Sequence, residues 1–291
     1  MLVSMNEVLK DACKNGYAIG AFNAYNLEAL QAIIEAAEET GKGVIINYAE
    51  VHAPLIPLEE IAPIMVMYAN KASVPVCLNL DHGTTVESCM TAMRLGFTSV
   101  MIDASALSYE DNVKNTALVC RLAHSIGVSV EAELGHIITS DIGMDGVEAE
   151  DRDKLDPDSI YTDPDVAKDF VEKTGVDALA IAFGTAHGIY TVKPKLDLDR
   201  ITRIREKIDI PFVMHGGSGL SKEEFQTAIR NGIRKINYYT YMALVGGKAV
   251  KEAMDNVQSG ESVFFHDIPK IAREAMKKDV INAIRIFSLE A

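Results

Sequence analysis

Short apolar runs rich in β-branched residues alternate along this chain with segments whose apolar positions recur every three to four residues. The runs predict strands at Ala18–Phe22, Val44–Asn47, Val76–Leu80, Ser99–Ile102, Ser129–Glu133, Ala178–Ala182, Phe212–Met214 and Lys235–Asn237. The amphipathic segments predict helices. In Leu27–Glu39, for instance, Leu27, Leu30, Ile33, Ile34 and Ala37 share one face. Further helices are expected at Leu58–Ala72, Val86–Leu95, Glu110–Ser125, Asp165–Lys173, Asp199–Lys207 and Glu223–Asn231, with two more after the last strand, at Tyr241–Asn256 and Ile268–Ile286. Ser4 and Glu7 have the spacing of a helix capping box, which places one more helix before the first strand.

Eight strands, each followed by a helix, imply an α/β fold with a parallel sheet, and eight such units favour closure into a (β/α)8 barrel with extra terminal helices. At 291 residues the chain suits one barrel domain with added elements, spanning 1–291. The stretch from Gly135 to Asp163 has no clear period and is polar and acidic. A segment of that length following the fifth strand is expected to form a mobile loop over the catalytic face.

Composition narrows the partners. The net charge of −14 argues against nucleic acid, which needs clustered Lys and Arg, but not against a small anion held by backbone N–H groups. The four cysteines, Cys13, Cys77, Cys89 and Cys120, form no Cys-x-x-Cys pair and suit small core positions in a reducing compartment. The N-terminal residues lack a signal-peptide pattern, and no apolar run is long enough for a membrane span, so a cytoplasmic location is expected.

Chemistry in such barrels gathers at the C-terminal strand ends. In order, those ends carry Asn23, Asn47, Asp81 with His82, Asp103, Glu133, His187, His215, and Asn237 with Thr240. Three of the seven histidines thus fall on one rim beside three carboxylates. A single rim histidine is as well explained by packing as by ligation. Three together favour a metal site, and imidazoles with an open position suit catalytic zinc. Gly216, Gly217 and Ser218 precede a helix expected near Ser221, where backbone N–H groups can cradle a phosphate. Alone, that segment would read as a glycine-rich turn.

At these residues the chain resembles the class II fructose-bisphosphate and tagatose-bisphosphate aldolases, nearly end to end. The resemblance rests on Ala21-Phe22-Asn23, Leu80-Asp81-His82-Gly83, Val100-Met101-Ile102-Asp103-Ala104-Ser105 and Val130-Glu131-Ala132-Glu133-Leu134-Gly135. It continues through Gly184-Thr185-Ala186-His187-Gly188-Ile189-Tyr190, His215-Gly216-Gly217-Ser218-Gly219 and Lys235-Ile236-Asn237. It implies reversible cleavage of a ketose bisphosphate, such as fructose 1,6-bisphosphate or tagatose 1,6-bisphosphate, to glycerone phosphate and an aldehyde. It also implies roles. His82, His187 and His215 match the zinc ligands, and Glu133 and Asp103 the acids near an alternative metal position. Asp81 matches the group that moves the proton at the aldehyde-derived hydroxyl. Gly188, Gly216, Ser218, Asn237 and Thr240 match ketose-phosphate contacts, and the rim residues Asn23, Gly184, Gly217 and Tyr239 join them as candidates. The backbone around Gly184, Gly188 and Gly216 matches a monovalent cation site for Na+ or K+. Relatives form homodimers or homotetramers, and closed symmetric assemblies are common. The inferred strand interiors show no lysine, which weighs against a Schiff-base aldolase.

Three departures bear on substrate. The loop after Glu133-Leu134-Gly135 lacks the Gly-Gly-x-Glu-Asp pattern of relatives, whose glutamate takes a proton from the ketose carbon. Glu148 is the best placement for that base, with Asp145 and Asp141 behind it, although these acids equally suit a solvated loop surface. Tyr239 stands where relatives have a smaller residue, so it narrows the pocket, adds a hydroxyl or simply packs. The C-terminus lacks the Gly-Ser and basic segment of relatives, so an aldolase for a ketose 1-phosphate lacking the distal phosphate is the alternative to the bisphosphate enzyme. A metal-dependent epimerase and a catalytically silent metabolite-binding protein are the competing readings, because fold alone does not fix function.

Overall fold

Strands buried on both faces read as continuous apolar runs, and here they become the staves of a closed barrel. The computed structural model describes residues 1–135, 137–139, 160–189, 194–258 and 261–290. Its elements are α1 (Met5–Asn15), β1 (Ile19–Asn23), α2 (Leu27–Thr40), β2 (Val44–Ala49), α3 (Leu58–Lys71), β3 (Val76–Gly83), α4 (Val86–Arg94), β4 (Ser99–Ile102), α5 (Tyr109–His124) and β5 (Ser129–Leu134). There follow β6 (Ile138–Thr139), α6 (Pro164–Thr174), β7 (Ala178–Ile181), β8 (Ala186–His187), α7 (Leu198–Arg205), β9 (Phe212–Met214), α8 (Lys222–Asn231), β10 (Ile233–Tyr238), α9 (Thr240–Asp255) and α10 (Ile268–Phe287). The barrel closes in the order β1-β10-β9-β7-β5-β4-β3-β2, all parallel. It is a (β/α)8 barrel, with α1 and α10 as terminal additions.

Helix α1 forms because Ser4 Oγ accepts from the Glu7 amide at 3.2 Å, one half of the expected capping box, and because Gly16 takes the left-handed conformation that ends it. Its apolar face, Met5, Val8, Leu9 and Ala12, packs with the inward residues Ile19, Ala21, Ile45, Cys77, Met101, Ala178, Ala180 and Val213. This helix therefore plugs the N-terminal mouth. At the other end of the chain, Met276, Val280, Ala283, Ile284 and Phe287 of α10 are buried against the barrel wall, with Phe287 against Phe22 and Phe225. No described helix is long and apolar enough to cross a membrane.

One observation corrects the expectation for the strand interiors. β10 begins two residues before the predicted strand, so Lys235 is a strand-interior lysine, fully buried, whereas none was expected. Beyond Gly135 the described residues include one further pairing. Ile138 and Thr139 pair in parallel with Ala186 and His187, forming a two-stranded sheet above the barrel. Thr162 at the far end of the segment ties back to the Leu134 carbonyl and, through its amide, to Ala182 at 2.9 Å. The intervening residues, including Asp141, Asp145 and Glu148, lie outside the described residues.

Candidate active site

A regular strand points successive side chains to opposite faces, so Asp81 and His82 could not both reach the barrel mouth from an ideal β3. The pairing of β3 with β4 slips between Leu80 and Gly83, so that Asp81 and His82 together oppose Met101 alone. His82 takes φ +50, a conformation that few side chains adopt. Such a bulge re-aims a side chain, and here both residues line one cavity. Gly83 permits the turn, because a Cβ there would lie 2.7 Å from the Met101 carbonyl and 2.8 Å from the Leu80 side chain.

The cavity, about 800 Å³, opens at the C-terminal strand ends. His82, His187 and His215 each offer a ring nitrogen, all within 4.8 Å of one another, and His82, Asp103 and Glu133 form a second such trio. His215 Nδ1 lies 3.0 Å from His82 Nε2. Two nitrogens at ~2.0–2.1 Å on one tetrahedral ion would sit at roughly 3.3 Å, so little movement separates this arrangement from a bound dication. The outward nitrogens are already engaged. His82 Nδ1 meets Asp103 Oδ2 at 2.7 Å, and His215 Nε2 meets Glu131 Oε1 at 2.8 Å. A carboxylate on the far nitrogen fixes each ring with its lone pair directed at the shared point. His187 Nε2 and Glu133 Oε2 are buried and without a hydrogen-bond partner, which suits groups that wait for a cation. These donors fit a metal ion. His187 reaches the cluster because Gly216 has no side chain. A Cβ on Gly216 would overlap the carbonyl of Ala186, next to His187.

Beneath the imidazoles runs a buried polar layer that the rim reading missed. Glu131 Oε2 pairs with Lys235 Nζ at 2.7 Å, both fully buried, and Lys235 Nζ donates to Asn237 Oδ1 at 2.7 Å. Asn237 Nδ2 donates to Asp81 Oδ1 at 2.9 Å. On the other side Ser99 donates to Asn79 (2.8 Å), Asn79 to Asn47 (3.1 Å), Asn47 to Asn23 (3.5 Å) and Asn23 to Asp81 Oδ2 (3.4 Å). Both branches deliver donors to Asp81. Its signal was present in the sequence. Glu131 with Glu133, Asn79 with Asp81, and Lys235 with Asn237 are each two apart, the spacing that puts both on the inner face.

These charges act on one another. Burial opposes ionisation of Asp81, but the positive groups at His82, His215 and Lys235 outweigh it and hold the carboxyl below its usual range. Burial likewise opposes charge on His82, yet Asp81, the bond to Asp103 and Glu133 push its pKa up to about 10. Burial, aided by Asp103, pushes Glu133 up to about 8. Burial, with His82 nearby, pushes His187 down to about 3. Near neutral pH the cation-free cluster therefore carries a proton on Glu133 and another on His82. A metal that takes the lone pair of that ring must displace it. Metal uptake at pH 7 is expected to release the His82 proton and, where the ion also ionises Glu133, a second one, and affinity to climb as pH rises towards 10. Calorimetric titration in buffers of different ionisation enthalpy measures this, and uptake without proton release contradicts it.

The other expected contacts divide. Asn23, Gly188, Gly216, Gly217, Ser218, Asn237, Tyr239 and Thr240 all line the cavity. Gly184 does not. A Cβ there would meet the Lys195 carbonyl and the Tyr161 hydroxyl, so its missing side chain serves packing. The helix expected near Ser221 is α8, at Lys222–Asn231. Ser221 and Glu224 cap α8 reciprocally, at 3.3 and 2.8 Å, which occupies its first donors. No side chain caps α9, which begins at Thr240 on the cavity wall, so the open helix end is that of α9.

A family model described as fructose-bisphosphate aldolase class-II matches residues 3–290. The chain belongs to the class II fructose-bisphosphate aldolase family. It is an aldolase, a lyase. A fructose-bisphosphate aldolase of Staphylococcus epidermidis is 41% identical over 294 residues, 98% of this chain and 97% of that one. YdjI of Escherichia coli K12 is 37% identical over 287 residues, 99% and 98% of the two chains. The crystal structure of the YdjI aldolase superposes on this aldolase with a TM-score of 0.85 at 36% identity, covering 99% and 97%. A fructose-bisphosphate aldolase of Campylobacter jejuni, 23% identical with a TM-score of 0.79 over 98% and 95%, shares the fold.

Proposed function

We propose that this aldolase cleaves and forms the carbon–carbon bond of a ketose phosphate, giving glycerone phosphate and an aldehyde, with one zinc ion per subunit. The observation that supports this is the convergence of three ring nitrogens, two of them backed by carboxylates, beside an ionised Asp81. A zinc ion held by His82, His187 and His215 would supply Lewis-acid stabilisation of the oxyanion that develops on the ketose half. Asp81 acts on the other half. In cleavage its carboxylate accepts the hydroxyl proton of the carbon that becomes the aldehyde, and in condensation it returns that proton. The amides of Asn237 and Asn23 keep the carboxylate oriented and charged for this transfer. Backbone around Gly188, Gly216 and Gly217, with Ser218, Asn237 and the open start of α9 at Thr240, forms the phosphate cradle. Glu148 is assigned the proton at the ketose carbon from the resemblance alone. Asp103 and Glu133 offer the ion a second position, and Na+ or K+ is assigned to the glycine backbone.

A coupled assay for glycerone phosphate, run before and after chelation, tests this. Metal-dependent cleavage is expected. Epimer formation with no three-carbon product, or no turnover at all, sinks it.

A second reading concerns the distal end of the substrate. The described cavity lining contains Asp81, Asp103 and Glu133 but no Lys or Arg. A distal phosphate would find no Lys or Arg among these described residues, which favours a ketose 1-phosphate with an unphosphorylated tail over fructose or tagatose 1,6-bisphosphate. Steady-state comparison of these bisphosphates with ketose monophosphates decides, and much higher efficiency on a bisphosphate removes this reading.

A further inference from the structure

One part of the cavity wall plays no part in the reaction described above. β2 ends in a tight turn, Glu50–His52, and His52 lines the cavity there while being 7% exposed. The turn is firmly held. The His52 carbonyl accepts from Leu55 (2.8 Å) and Ile56 (3.2 Å), and Glu50 Oε2 accepts from the Thr84 amide at 2.6 Å. The imidazole packs against Tyr239, centroids 4.8 Å apart, and Tyr25, at 5.8 Å, and these two rings meet edge to face at 5.4 Å. His52 Nδ1 is buried without a hydrogen-bond partner. A buried polar atom left in that state is costly, and a ligand hydroxyl or a water can supply the missing bond. Burial favours the neutral imidazole, Asp81 opposing only in part, so the ring offers hydrogen bonding without charge.

We propose that His52, walled by Tyr239 and Tyr25, is the specificity-determining contact for the aldehyde half of the substrate, and that it takes an uncharged polyhydroxylated chain. This deepens the aldolase reading above and rests on it. The chemistry is matched on three counts. An unpartnered imidazole nitrogen pairs with a hydroxyl, aromatic faces pack on the C–H groups of a sugar chain, and the described lining holds no Lys or Arg for an anionic tail. His52 also lies near enough to Asp81 to feel its charge, which places it on the side where the aldehyde carbon forms.

The test is condensation of glycerone phosphate with three aldehydes by the metal-loaded enzyme: glycolaldehyde, an unphosphorylated four-carbon aldose, and glyceraldehyde 3-phosphate. The quantity read is kcat/KM for the tetrose divided by that for glycolaldehyde. His52→Ala is expected to lower this ratio roughly tenfold, the scale of one hydrogen bond with its packing. Tyr239→Leu should lower it as well, and His52→Asn, which keeps a polar group, should recover part of the loss. The ratio is internal to each preparation, so a partly unfolded variant does not move it. An unchanged ratio in both His52→Ala and Tyr239→Leu overturns the assignment. A wild-type preference of orders of magnitude for glyceraldehyde 3-phosphate overturns the uncharged class. Failure of the wild type to join glycerone phosphate to any of the three aldehydes overturns the aldolase reading, and this proposal with it.

Discussion

Replacing Asp81 with Asn is expected to lower the rate of cleavage by ~10²–10⁴-fold, the usual worth of a positioned proton-transfer group. The substitution keeps the size of the side chain and removes its ability to accept a proton. It also turns one of the two inward-facing acceptors into a donor, directed at the amide of Asn237 or Asn23. Metal content should be retained, because His82, His187 and His215 are untouched. The exchange of glycerone phosphate carbon-bound hydrogen with solvent should also persist, because Asp81 serves the aldehyde half. The three readings together locate the residue. Loss of metal along with activity would make Asp81 a ligand, and loss of exchange would place it on the ketose half. Full cleavage activity would remove it from the chemistry.

Much of the fold was legible because a barrel strand buried on both faces must be apolar along its whole length. The rim residues were legible for a related reason. They are the first polar residues after each apolar run, and a barrel brings every such point to one end. What was not legible depends on contacts across the barrel. Lys235 and Glu131 look like strand-edge and core anomalies until they are found 2.7 Å apart. Neutralisation of each charge by the other is what allows both inside, since an unpaired buried charge would cost several kcal/mol. The bulge that turns Asp81 and His82 to the same side leaves only Gly83 as a trace in the sequence. The two-residue pairing of Ile138–Thr139 with Ala186–His187 is too short for any periodicity to announce. His52 escaped because its meaning comes from Tyr25 and Tyr239, which belong to other βα units. The capping box at Ser221 and Glu224 is a pattern readable in the sequence, whereas the lack of a side-chain cap on α9 shows only in the structure.

The same asymmetries select the variant that tests the metal site most cleanly. Removing His82 would strand Asp103, and removing His215 would strand the Glu131–Lys235 pair in the barrel interior. Each would cost folding energy as well as a ligand. His187 Nε2 has no hydrogen-bond partner to abandon, and its ring stands on the small sheet above the barrel, not in the buried layer. His187→Ala is therefore expected to keep the stability of the metal-free fold while metal affinity drops by more than ~100-fold, beyond the usual effect of losing an outer-shell partner. In the wild type, a chelator should abolish cleavage and lower the melting temperature, since metal at 100 times its dissociation constant adds ~2.7 kcal/mol. Zinc should restore both. In His187→Ala the melting temperature should respond little to chelator or to zinc, because the ion no longer distinguishes the folded state. The comparison needs only thermal melts and metal analysis, so it does not depend on knowing the aldehyde. A wild type that keeps its full rate and melting temperature after thorough demetallation, or a His187→Ala variant that binds zinc as tightly as the parent, would show that the three imidazoles converge for some purpose other than holding an ion.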